Sequence, residues 1–261
     1  MAEVNTYLDI KDLNKSIGDL ILFENASLSI AERQRIGIIG RNGTGKSTLL
    51  NIISGKEGYD SGEVVFRRGI KVGFLEQSPE YIPDQTVIEA CFNNGNEKAE
   101  LIYKYMECIS ANDHSRLSEL SNSMDISDAW NYEHRIKEVL SKLNISNFHE
   151  HMGNLSGGQR KRVALANVLL TEPDMLILDE PTNHLDLQMI EWLEKYLSQQ
   201  YITLLMVTHD RYFLDRVCNK IIELDNHQFY SYQGSYSYFI EKRQQRKDAE
   251  AAEVARANNL Y

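Results

Sequence analysis

Gly40-Arg41-Asn42-Gly43-Thr44-Gly45-Lys46-Ser47-Thr48 satisfies the pattern G-x-x-x-x-G-K-[ST] at every position. Upstream, Ile36-Gly37-Ile38-Ile39 reads as a short buried strand; downstream, Leu49-Leu50-Asn51-Ile52-Ile53 opens a helix. Strand, glycine-rich loop and helix in that order are the context the pattern requires. The glycines let the backbone wrap around an anion with successive N–H groups turned inward. The helix N-terminus adds the positive end of its dipole. In that setting Lys46 reaches the β- and γ-phosphates, and the Ser47 hydroxyl ligates Mg²⁺. The stretch reads as a binding loop for a nucleoside triphosphate.

Four further elements follow. Val72-Gly73-Phe74-Leu75 is strand-like and is followed closely by Gln77. Leu155-Ser156-Gly157-Gly158-Gln159 leads into Arg160-Lys161-Arg162-Val163-Ala164, and on its own Ser156 is an ordinary candidate for a helix N-cap. Met175-Leu176-Ile177-Leu178 runs apolar into Asp179-Glu180, as a buried parallel strand with carboxylates at its C-terminal end would read. Asp186 comes shortly after. Ile202 to Val207 makes a second such strand, leading into Thr208-His209-Asp210. Taken singly, Asp179 and Glu180 are equally readable as strand-end charges and His209 as a core histidine.

Phosphate loop, glutamine, LSGGQ, apolar run with Asp-Glu, and strand with histidine, in that order, resemble the ATP-binding cassette (ABC) family from about residue 6 to residue 240. The resemblance implies an α/β P-loop NTPase with a phosphate-loop core sheet, an antiparallel N-terminal β subdomain and a helical subdomain. It places the cassette at residues 1–240, the helical subdomain at about 86–150, and the start of a helical inter-domain linker at 241–261. It also assigns roles. Asp179 holds Mg²⁺ through its water shell together with Ser47 and Gln77, while Glu180 positions or deprotonates the attacking water. His209 contacts the γ-phosphate, and Asp186 sits at the dimer seam. In this family two cassettes close head-to-tail, so Leu155, Ser156, Gly157, Gly158 and Gln159 serve the ATP held on the opposite cassette. With one phosphate loop, one LSGGQ and no internal repeat, the chain requires a second cassette, on a longer chain or as a second copy.

Three features resemble the ABC-F branch, whose members carry two cassettes and act in many cases on ribosomes. They are Asn183-His184 within Pro181-Thr182-Asn183-His184-Leu185-Asp186, Thr208-His209-Asp210-Arg211-Tyr212-Phe213-Leu214, and Tyr232-Gln233-Gly234-Ser235-Tyr236-Ser237-Tyr238-Phe239 before a charged helix. That helix, from about Ser235, lacks Gly and Pro and is polar nearly all round, as a helix that bridges domains or lies on a partner would be. Lys242, Arg243, Arg246 and Lys247 are candidate contacts to RNA phosphates; the alternative is a solvated face, since Glu241, Asp248, Glu250 and Glu253 offset them. The sequence ends within the helical pattern at Tyr261, so a longer protein is expected.

Between Gln77 and Leu155, residues Thr86 to Ile109 read as helix interrupted near Asn93-Asn94-Gly95, with room for only a short hairpin or helix pair as an insertion. Asp128 to Leu143 reads as an amphipathic helix with Trp130, Ile136, Val139, Leu140 and Leu143 inward. Asp128-Ala129-Trp130 and the compact spacing resemble the Uup-type subgroup, which has ribosome- and DNA-linked roles; DNA maintenance is therefore a second reading. A third, the motor subunit of a membrane transporter, is disfavoured by Asn183-His184. ABC cassettes usually stack adenine on an aromatic residue near Lys15-Ser16-Ile17-Gly18. Here Ile17 occupies that position, which puts adenine selectivity in question.

A net charge of −10, from 38 acidic and 28 basic residues, argues against broad nonspecific nucleic-acid binding. The cysteines Cys91, Cys108 and Cys218 are odd in number and lack metal-ligand spacing, which fits a reduced cytoplasm. No signal peptide and no membrane-spanning apolar run are evident, so no membrane insertion is expected.

Overall fold

Strands made of uninterrupted apolar residues must be covered on both faces, and this requirement organises the chain around the phosphate loop. The computed structural model describes residues 5–76, 81–92, 95–111, 113–199 and 202–258. They divide into two units, Met1–Ile70 with Ile177–Pro181 and Glu194–Tyr261, and Lys71–Leu176 with Thr182–Leu193.

In the first unit, β1 (Thr6–Ile17) and β2 (Leu20–Ala31) form a long antiparallel hairpin, and β4 (Ser61–Phe66) adds to the other edge of β1. The second sheet of this unit holds β3 (Arg35–Gly40) between two parallel neighbours, β7 (Thr203–Val207) and β8 (Lys220–Asp225). Beyond β7 lies β6 (Met175–Asp179), and β9 (Gln228–Gln233) closes the far edge antiparallel to β8. β6 and β7 are buried at all five positions each, as the apolar runs Met175–Leu178 and Leu204–Val207 within them require. Helix α1 (Lys46–Ile53) follows the phosphate loop and buries Leu49, Leu50, Ile52 and Ile53. Helix α8 (Arg211–Val217) precedes β8, and α9 (Tyr236–Asn258) follows β9.

In the second unit β5 (Val72–Leu75) lies beside the opening residues of β6, with Lys71 O accepting from Asp174 N at 2.8 Å. Helices α2 (Val87–Phe92), α3 (Glu97–Ser110), α4 (His114–Ser127), α5 (Tyr132–Lys142) and α6 (Gly157–Leu170) make up most of the remainder. Helix α7 (Leu187–Gln199) runs from this unit into the first. The expected interruption falls between α2 and α3; Asn93 and Asn94 themselves lie outside the described residues. Ile136, Val139, Leu140 and Leu143 are buried as expected, but Trp130 is 45% exposed. Asp128, with φ at 55°, breaks the helical path, so Trp130 sits on a short 3₁₀ turn outside the α5 periodicity. Its ring meets Tyr105 edge-on at 5.0 Å and its Nε1 donates to Asp125 Oδ1 at 2.6 Å. Tyr132 takes the inward position instead and donates its hydroxyl to Leu170 O at 3.2 Å.

Two features of this packing are open to direct measurement. Gly62, at φ 109°, lies where β1 bulges around Asp12; a Cβ there would stand 2.6 Å from Asp12 O and 2.8 Å from Leu13 Cα. Gly62→Ala should therefore lower stability by about 1–3 kcal/mol in denaturant unfolding. Burial pushes the Cys91 and Cys218 thiols up to about 12. Near pH 8 both should resist alkylation in the folded chain and react once it is unfolded. The folded state holds these two protons more tightly than the unfolded state, where thiols titrate near about 8.5. Their contribution to stability is thus complete below that pH and is lost as pH rises toward 12.

Candidate functional site: the phosphate loop and the strand ends around it

Within the first unit, β3 runs parallel to β7 and β8, so their C-terminal ends share one edge of the sheet, where open α/β sheets bind ligands. The end of β6 meets the end of β7 there through Glu180 N donating to Val207 O. The phosphate loop leaves β3 there. Gly43 and Gly45 have φ of 80° and 99°, and Gly45 is the N-cap of α1. A side chain at Gly45 would meet Phe23 at 3.1 Å and Leu22 at 3.3 Å, so the loop is backed by β2 and only glycine fits. The Lys46 ammonium donates to Gly40 O and Arg41 O, each at 3.0 Å. Burial draws the Lys46 pKa below the ordinary lysine value, while the carboxylates of Glu180 and Asp179 oppose that shift. Ser47 and Thr48 open α1, and Thr44 Oγ1 donates to Arg41 O at 2.9 Å.

Asp179, the last residue of β6, is 8% exposed. Glu180 follows with φ at 50°, its N–H donating to Val207 O at 2.8 Å. That left-handed step turns its side chain toward the residue that leaves β7: His209 Nε2 lies 3.5 Å from Glu180 Oε1, and His209 N donates to Glu180 Oε2 at 3.4 Å. Asp210 then caps α8, accepting from Tyr212 N and Phe213 N at 3.0 Å each. Lys46, Asp179, Glu180 and His209 are thus brought together. Gln77 lies outside the described residues.

In the second unit, Ser156 is the N-cap of α6, the plainer of its two readings. Gln159 N donates to Ser156 Oγ at 3.3 Å and Ser156 N donates to Gln159 Oε1 at 2.9 Å, a complete capping box. Leu155 is buried beneath the turn, and its carbonyl accepts from Arg160 Nη1 at 2.6 Å. Gly157 faces open space, whereas a Cβ on Gly158 would stand 3.4 Å from His184 Cβ. Asp186 accepts from Met189 N at 3.0 Å, capping α7, and from Asn144 Nδ2 at 2.9 Å.

A cavity of about 350 Å³ in the first unit is lined by Gly40, Arg41, Lys46, Thr208 and His209, and also by residues not singled out from the sequence. These include Glu223 and Asp225; Arg211 and Tyr236, named above only within motifs, and Arg243, offered above to RNA, line it too. The signal for Glu223 was present: it is the one charge inside the apolar run Ile221-Ile222-Glu223-Leu224. Arg243 and Arg246 turn inward to pair with it, which removes them from the four cations offered to RNA and leaves Lys242 and Lys247.

The loop suits a nucleoside triphosphate: glycine at its two left-handed positions, a lysine held over the loop carbonyls, and a helix N-terminus behind it. Among the described residues no group of three or more His, Cys, Asp or Glu forms a metal cage. A hydroxyl and a carboxylate are the donors on offer, which suits Mg²⁺, an ion that keeps waters and takes phosphate oxygens.

A model of the family described as "ABC transporter" matches residues 23–183. The uncharacterized ABC transporter ATP-binding protein YfmR of Bacillus subtilis (strain 168) is 43% identical over 262 residues, covering 97% of this chain and 42% of that protein. The energy-dependent translational throttle protein EttA of Mycobacterium tuberculosis (strain CDC 1551 / Oshkosh) is 37% identical over 252 residues, 91% of this chain and 44% of that protein. The chain spans less than half the length of these curated relatives. The solved ATP-binding subunit of an ABC transporter shares the fold, with a TM-score of 0.67 at 20% identity over 87% of this chain and 90% of that one. An ATP-binding cassette solved as a dimer in a post-hydrolysis state with ADP and Pi aligns with a TM-score of 0.63 at 26% identity, over 87% and 98% of the two chains. No helix among the described residues is long and apolar enough to cross a membrane.

The capping box gives the signature turn a structural task that is separable from any contact with nucleotide. Ser156→Ala should cost about 1 kcal/mol of stability, read as a lowered denaturant midpoint with no nucleotide present.

Proposed function

Because the chain belongs to the ABC transporter family, we propose that it is the ATP-binding and ATP-hydrolysing cassette of an ABC-F protein, closing with a second cassette to act on ribosomes. The observation that carries this reading is 37% identity across nine-tenths of the chain to a protein named as an energy-dependent translational throttle. Asn183-His184 and the charged helix α9 support the branch.

In this reading residues 1–240 are the cassette and 241–261 begin the linker, from which Lys242 and Lys247 are available to RNA. ATP supplies the phosphoanhydride, and Mg²⁺ the charge neutralisation that phosphoryl transfer needs. Gly40 to Thr48 hold the phosphates through backbone N–H groups, and Lys46 exchanges its two loop carbonyls for phosphate oxygens. Ser47, and Asp179 through water, would hold Mg²⁺, with Gln77 as the third candidate. Glu180 orients the attacking water and takes its proton on a carboxylate oxygen, and His209 holds that carboxylate from 3.5 Å and reads the γ-phosphate. Leu155 to Gln159 serve the ATP of the opposite cassette, with Asp186 at the seam. Two cassettes are needed for a complete site, so the single chain should turn ATP over slowly and with a rate that rises with protein concentration.

The test uses Glu180→Gln, made here and at the matching glutamate of the second cassette in the longer protein. It should keep ATP binding, reduce hydrolysis by about 100-fold or more, and co-sediment with ribosomes only when ATP is present. Retention on branched DNA with none on ribosomes would replace the translation reading with the DNA-maintenance one. Hydrolysis left at the wild-type rate would remove Glu180 from its role.

A further inference from the structure

Helix α9 is rich in charge, yet two of its arginines point into the first unit. Arg243 Nε lies 2.5 Å from Glu223 Oε1; Arg246 Nη2 lies 2.9 Å from Glu223 Oε2 and 3.0 Å from Asp225 Oδ2. The Tyr232 hydroxyl donates to Glu223 Oε2 at 3.2 Å, and burial together with that carboxylate pushes the phenol up to about 12. The Arg246 guanidinium also sits 3.8 Å above the Tyr230 ring. The Glu223 side chain is 3% exposed. A carboxylate this buried is tolerated only when paired, and here the pairing comes chiefly from a helix that follows the last strand.

Glu223 also stands in the wall of the cavity that holds the phosphate loop. Arg41, Lys46 and Arg211 line that cavity along with Glu223, Asp225 and Arg243. A cavity that receives a polyphosphate must offer a positive field, and in a partly buried site charges are weakly screened. Two of the six charged groups are negative. Arg243 removes the effect of the more buried one, and Arg246 reaches both. With α9 lifted away, a bare buried carboxylate would face the incoming phosphates.

We propose that α9 is a working part of the nucleotide site: by neutralising Glu223 at the cavity wall, Arg243 allows polyphosphate to bind, so nucleotide binding and α9 docking are linked. The proposal rests on the nucleotide reading above and assigns Arg243 and Glu223 as positioning residues for that site. Linkage is reciprocal. A docked helix tightens nucleotide binding, and bound nucleotide holds the helix down by the same factor. Whatever partner pulls on the chain beyond α9 would then weaken nucleotide binding, and loss of nucleotide would release the helix.

The experiment titrates a fluorescent ATP analogue into the chain as wild type, Arg243→Gln, Glu223→Gln and the double variant, with thermal unfolding run on each. Arg243→Gln should weaken binding about tenfold, within the range usual for coupled sites, and tripolyphosphate, which has the charge without the base, should show the same loss as a competitor. The double variant should regain most of that loss, because the carboxylate that Arg246, shared with Asp225, only partly offsets is gone. Hydrogen exchange of residues 236–247 should slow with ATP in the wild type and not in Arg243→Gln. Should Arg243→Gln fail to fold, Glu223→Gln alone decides: binding at least as tight as wild type is expected, and markedly weaker binding overturns the proposal. Equal affinity of folded Arg243→Gln and wild type, or a double variant no better than Arg243→Gln, also overturns it. A wild-type chain that binds no ATP would overturn the nucleotide reading itself, and this linkage with it.

Discussion

Burial of β3 between parallel β7 and β8 is the constraint on which the site depends. Ile36 and Ile38 are fully buried, so β3 can neither slide nor tilt without opening the core of the first unit. Its C-terminal end therefore presents Gly40 at a fixed place, and the loop that follows must turn back into α1 within a few residues. Glycine backbone at positions 43 and 45 makes that turn possible, and Phe23 behind Gly45 leaves room for nothing larger. Parallel strands with buried flanks put every C-terminal end on one edge. That is why Asp179 with Glu180 and Thr208 with His209, which lie about 30 residues apart in the sequence, meet beside Lys46.

Within each unit, several of the polar groups singled out from the sequence are held by protein partners. Lys46 rests on two loop carbonyls, Glu180 on His209, Ser156 on Gln159, and Asp186 on the first turn of α7. Such arrangements cost little to undo, because each group exchanges one hydrogen bond for another rather than losing it. They also explain why helix caps and candidate site residues coincide here. A capping serine holds the first turn of α6 and leaves the glycine after it facing open space; an acidic cap on α8 fixes the residue that follows β7. The same bonds that terminate secondary structure set the direction of the side chains proposed to do chemistry.

Legibility in the sequence followed the same physics. β3, β6 and β7 were readable because strands covered on both faces leave long apolar runs, and the phosphate loop because its glycines have a backbone task that no other residue performs. α4 was not readable. His114 to Ser127 alternates serine and charge with few apolar residues, so periodicity offers little. Trp130 was misplaced because a left-handed residue at Asp128 resets the helical phase, and nothing local in an aspartate announces that. Arg243 and Arg246 look like outward cations in the sequence because helix α9 shows no strong apolar stripe. Their inward direction is set by Glu223, some 20 residues earlier in sequence, and long-range ion pairs leave no periodic trace.

The inward direction of these arginines has a mechanistic side. A helix held by apolar packing alone would carry no charge away from the phosphate loop when it left. Held by guanidinium groups on a buried carboxylate, it carries the charge balance of the cavity with it. Phe239 packs against Tyr232 and Tyr236 to give the helix its footing, while Arg243 and Arg246 decide the electrostatic consequence of leaving. An element whose docking is set by charge, on the edge of a site whose ligand is charge, is coupled to that ligand by its composition alone.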